Sequence, residues 1–135
     1  MLNPGSYTLA NRNLTTALSG EAQTAIDVTG IQAATIECQF GYTSGGTTCK
    51  VWVQVSLDRG QTWIDVACFA FTTASATRVV NLSGLTPRTT ALTPSDGALG
   101  DDTAVDGVLG SLMRAKITST GTYANTFAAV RLDAR

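Results

Sequence analysis

An all-β fold, a jelly roll or antiparallel β-sandwich of about eight strands, is what this 135-residue sequence predicts. No window of useful length keeps apolar residues at the 3.6-residue helical period. Thr, Val, Ala, Gly and Ser dominate, a composition that favours extended chain and turns. Gly-, Ser- and Asn-containing punctuation separates most of the apolar runs, and that spacing suits a two-sheet protein better than a parallel sheet. The length suits one domain, which buries roughly 65–70 % of its unfolded surface.

The runs predict strands over residues 14–19, 24–28, 31–40, 48–57, 62–71, 77–82, 109–118 and 122–132. Residues 1–13, with Pro4, Gly5 and few hydrophobes, read as an extended N-terminal arm that needs its own body or a neighbour to lie against. The sandwich domain then spans 14–135. Residues 83–108 carry Pro87, Pro94, several glycines and Asp96, Asp101, Asp102 and Asp106, too long a stretch for an ordinary connection, and read as a functional or contact loop. Its aspartates lack the ligand spacing of a calcium loop, so no metal is expected.

Between the fourth and fifth runs lies "VSLDRGQTWIDV". Ser56, Asp58, Gly60, Thr62 and Trp63 fit the pattern S-x-D-x-G-x-T-W, in which an Asp and a Gly supply turn chemistry that closes a hairpin. With Ser56 opposite Trp63, Val55 faces Ile64, Val53 faces Val66 and Val51 faces Cys68, giving one apolar sheet face for the core. The other face then carries Lys50, Trp52 and Gln54 against Asp65, Ala67 and Phe69, with Phe71 beyond. Trp52, Phe69 and Phe71 are therefore a candidate contact face.

Composition restricts function. Charged residues make up 14 % and the net charge is −1, so nothing steers the chain toward nucleic acid or anionic membranes. No segment approaches the roughly 20 apolar residues of a membrane span, and the opening "MLNPGSYTLAN" has no signal-peptide character, which predicts a protein made in the cytoplasm. Cys38, Cys49 and Cys68 are odd in number and lack C-x-x-C spacing, as expected of small core hydrophobes. With no histidine, two glutamates (Glu21 and Glu37) and no phosphate-binding loop, neither catalysis nor a cofactor is expected.

The hairpin pattern resembles the Asp-box of sialidases and related β-propellers. That resemblance implies several boxes on successive blades, an arginine cluster and a Tyr nucleophile, whereas this chain has one box and no room for the blades. A wider likeness covers roughly residues 30–70 and 108–134. Alternating valines, "SLDRGQTWIDV" and the later "LMRAKITSTGTYANTFAAVRLDA" resemble small β-sandwich structural proteins of tailed bacteriophages. The resemblance implies a virion protein that decorates and cements the outside of a head, partnered by the major capsid protein and by copies of itself, or else a neck or tail component. A carbohydrate-binding module is the alternative of a different class, with Trp52 and Tyr42 or Tyr123 presented to a glycan.

Overall fold

The computed structural model describes all residues from Met1 to Arg135. Eleven strands form, not eight: β1 (Gly5–Leu14), β2 (Glu21–Ala22), β3 (Ile26–Asp27), β4 (Ala33–Gly41), β5 (Ser44–Gly45), β6 (Thr48–Ser56), β7 (Ile64–Phe71), β8 (Ala76–Ser83), β9 (Leu112–Thr120), β10 (Tyr123–Ala124) and β11 (Thr126–Ala134). The extra strands are fragments of longer runs. β2 and β3 both pair antiparallel with β9, at Glu21↔Ile117 and Ile26↔Met113, and are two ends of one interrupted strand. β5 and β10 pair only with each other, where the chain passes from one sheet to the other.

One sheet has the order β1-β11-β4-β8 and the other β2-β9-β6-β7, all neighbours antiparallel. This alternation between sheets is the path of a jelly roll, two Greek keys wound together. Its origin is visible in the register. Ala34↔Ala134, Gly41↔Phe127, Ser44↔Ala124, Thr48↔Thr120 and Ser56↔Leu112 lie on one ladder that never slips as it crosses between sheets. The segments 33–56 and 112–134 are thus a single long ribbon folded over on itself.

Inward residues alternate along the strands, as a half-buried sheet requires. Ile36, Cys38, Phe40, Val130 and Leu132 of the first sheet meet Val51, Val53, Val55, Met113 and Ile117 of the second in one core. At one end Phe40 stacks on Phe71, centroids 4.9 Å apart, and meets the Tyr123 ring edge-on at 5.6 Å. Cys38 and Cys49 lie in this core as free thiols, and burial raises both above the ordinary thiol range.

Residues 1–13 lie against the protein's own body, one of the two supports the sequence left open, and do so mostly as a strand. Residues 5–14 are an edge strand on the protein's own β11, and Leu2 donates its amide to Thr29 at 2.8 Å. The strand expected at 14–19 is instead the connection that follows β1. A bulge between Thr8 and Ala10 buries Leu9 and Ala10 side by side, which breaks the period-2 pattern. Arg12 then reaches from β1 to Glu21 of β2 at 2.7 Å, joining the two sheets at that edge.

Candidate functional site

The box closes the β6–β7 connection through one carboxylate. Asp58 Oδ1 accepts the Thr62 amide at 2.8 Å, the Gln61 amide at 3.1 Å and the Ser56 hydroxyl at 2.9 Å, and Oδ2 accepts the Thr62 hydroxyl at 2.6 Å. Ser56 Oγ accepts the Gly60 amide at 2.8 Å, and Gly60 sits at φ 95°, where an L side chain is strained. The Thr62 hydroxyl and amide bonds pull Asp58 down to a pKa of about 2. Trp63 lies under Arg114, whose guanidinium carbon is 4.0 Å from the ring centroid. All five box residues are occupied in building the turn or packing against it.

Beyond the turn the observed register differs from the expected one. Val55↔Ile64 and Gln54↔Asp65 form as expected, but Val53 pairs with Ala67 in place of Val66, which is left as a bulge. The slip moves Phe69 opposite Val51 and Phe71 opposite Cys49, so both rings enter the core at 1 % and 4 % exposure. The expected trio of Trp52, Phe69 and Phe71 on one face is therefore split. Trp52 alone stays on the outer face, beside Cys68, and is still only 6 % exposed.

The long loop covers it. Residues 84–111 contain no strand and are fixed over the outer face and free edge of β7 by backbone and carboxylate contacts. Trp52 donates its indole N–H to Leu99 O at 3.1 Å. Asp65 N donates to Ser95 O, Cys68 N to Thr103 O and Val105 N to Val66 O, all within 2.9 Å, so the loop takes the place of a neighbouring strand. Asp101 meets Lys50 at 2.8 Å, while Asp102 accepts from Arg78 at 2.9 Å and from the Ala70 amide at 3.1 Å. Asp106 accepts the Ser83 amide at 2.6 Å.

Asp65 is the centre of this clamp. It is 2 % exposed, and its two oxygens accept five hydrogen bonds: Gln54 Nε2 at 2.8 Å and Gly97 N at 2.9 Å on Oδ1, with Ser95 Oγ and Ala98 N at 2.9 Å and Leu99 N at 3.1 Å on Oδ2. Burial pushes its pKa upward, but the Gly97, Gln54, Ala98 and Leu99 bonds together outweigh that and leave it below the ordinary value. Gln54 extends the network to Asp96 at 2.6 Å, Lys116 meets Asp96 at 2.8 Å, and Arg114 donates to Gln54 Oε1 at 2.9 Å. The sequence marked the aspartates of the loop but gave no sign that Asp65 accepts the loop's Ser95, Gly97, Ala98 and Leu99 or that Gln54 meets Asp96.

Each of the ten carboxylates is held in some such contact. Besides those above, Glu37 pairs with Arg131 at 3.4 Å, Asp27 accepts the Thr29 amide at 2.8 Å, and Asp133 lies 3.6 Å from Arg135. The rings expected to present themselves to a glycan are engaged too. Tyr123 is 2 % exposed with its hydroxyl donated to Thr72 O at 2.7 Å, and Tyr42 donates to Gly45 O at 3.1 Å.

The outer face of the other sheet stands open. Thr35, Glu37 and Gln39 of β4 lie opposite Asn81, Val79 and Thr77 of β8, and Val79 is 58 % exposed. β8 ends that sheet, with no strand on its far side. No protein-family model matches the chain, and comparison with curated proteins and with solved structures finds no match to either.

Proposed function

We propose that this chain is a non-enzymatic structural protein of a tailed-bacteriophage particle, a decoration protein that cements the outside of the head against the major capsid protein. The observation that carries the reading is the unequal use of the two sheet faces. The β6–β7 face is closed by a loop clamped at Asp65, whereas the outer face of the β4–β8 sheet carries few charges, Glu37 with Arg131 and Asp133 with Arg135, and ends at β8, which has a strand on one side only. A rigid body with one open polar face has the surface that non-obligate assembly contacts use, since these are about as polar as the rest of a protein surface. The commitment of all ten carboxylates, with no histidine present, supports a role without catalysis. The phage-like phrases of residues 30–70 and 108–134 supply the particle, and jelly rolls recur in capsid proteins.

The test is a pair of charge insertions, Gln39→Arg and Thr77→Arg, one on each strand of the open face. Both should leave the melting temperature within about 2 °C, since Thr77 is exposed and the half-buried Gln39 lies on the outer face of the sheet and makes no side-chain hydrogen bond. Both should weaken attachment of the protein to particles stripped of it, measured by co-sedimentation. Unchanged attachment with both substitutions together would remove this face from the contact.

A further inference from the structure

The opposite edge of the open sheet carries a feature that the attachment reading leaves unused. A cavity of about 360 Å³ opens where the end of β1 meets the β10–β11 junction, lined by Asn13, Leu14, Thr15, Asn125, Thr126 and Phe127. Its size lies at the lower end of small-ligand sites, roughly 300–1,000 Å³.

The chemistry of the lining is specific. The Asn13 and Asn125 carboxamides and the Thr15 hydroxyl are exposed and make no hydrogen bond within the protein, whereas Thr126 is occupied by Ala124 O and the Thr43 amide. Asn125 is held at φ 49°, a left-handed conformation that Asn tolerates better than most residues. Phe127 is the one aromatic residue of the lining. It pairs with Asn13 on one side and Gly41 on the other, and its ring lies over Gly41 so closely that a Cβ there would overlap the ring edge. Gly41 has no unusual φ, so the glycine answers to the ring and not to the backbone. The lining thus combines a half-exposed phenylalanine, whose ring extends over Gly41, with two free amides and a hydroxyl, and holds no charged side chain.

We infer that this corner binds one residue of a neutral saccharide, the apolar face of the sugar ring packed on Phe127 and its hydroxyls bonded to Asn13, Asn125 and Thr15. Free amides both donate and accept, which matches vicinal hydroxyls, and an aromatic ring matches the C–H face of a pyranose. The absence of a cation disfavours acidic sugars. The site is separate from the Trp52 and tyrosine positions that the sequence suggested, and β11 and β4 lie between it and β8. It does not depend on attachment to a particle.

The test is titration of the isotopically labelled protein with methyl glycosides of glucose, galactose and N-acetylglucosamine, followed by amide shifts, with N-acetylneuraminic acid as the anionic control. Saturable shifts at residues 13–15 and 125–127 are expected with at least one neutral glycoside, at the millimolar affinity of a single-residue site, about 4 kcal/mol. The acidic sugar should give none. Asn13→Ala combined with Asn125→Gly, which keeps the left-handed backbone accessible, should weaken binding at least tenfold with an unchanged spectrum elsewhere. Failure of every neutral glycoside to give a saturable shift at these residues would overturn the inference. So would undiminished binding in the double variant.

Discussion

Replacing Asp65 by Asn tests the clamp with a change of very few atoms. Oδ1 faces two donors and Oδ2 three, and the amide of Asn must turn its NH2 toward one set. The less costly orientation sets it against Gln54 and Gly97, losing two bonds and the charge assistance of the other three. Bonds to a charged group contribute about 1.5–3 kcal/mol each, but the loop can release into water and limit the loss, so the expected cost is about 3 kcal/mol. For a chain of this length that is about 10 °C in melting temperature.

The location of the damage is testable as well. Cys68 lies on the outer face beneath the loop, whereas Cys38 and Cys49 lie in the core. Under native conditions Asp65→Asn should make one thiol, Cys68, react with an aromatic disulfide reagent at least tenfold faster while the other two stay protected. The same variant should flatten the acid limb of stability. A carboxylate whose folded pKa is depressed contributes fully above its unfolded value near ~3.9, and that contribution is lost as pH falls through the folded pKa. A loss under about 0.5 kcal/mol, with Cys68 no more reactive than before, would refute the clamp.

Other substitutions give further expectations. Asp58→Ala should remove the part of the acid transition between pH about 4 and about 2, because Asp58 is held near 2 in the folded hairpin and its contribution disappears as it protonates; a pH-dependent denaturation series shows this. Gly41→Val should destabilise by about 1–3 kcal/mol by displacing the Phe127 ring, read by chemical denaturation and by shifted Phe127 resonances. Trp52→Phe should cost about 1 kcal/mol through the lost bond to Leu99 O, and should leave attachment to particles unchanged because the ring lies beneath the loop.

How far the sequence revealed these features depends on how local each one is. The two-sheet class, and β4, β6 and β8 to within a few residues, follow from alternation and turn residues. The box hairpin was legible because its contacts span only Ser56 to Thr62. The Val66 bulge was not, since "VACFAF" is apolar on both faces and no alternation fixes its register. That one slipped residue took Phe69 and Phe71 into the core. β1 was missed because its outer positions are polar and its bulge hides the inner ones. The Asp65 clamp joins residues about thirty positions apart, and the Phe127 cavity joins the two ends of the chain. Nothing in local pattern announces either meeting.

The central claim is that this jelly roll is a component of a particle surface, and stoichiometry measures it most directly. Quantitative mass spectrometry of purified particles from the source of this protein gives its copy number relative to the major shell protein, which closed symmetric assembly makes diagnostic. A ratio of the same order as the shell protein is the predicted result. A small ring's worth of copies would move the protein to the neck or tail, and its absence from particles would contradict the account.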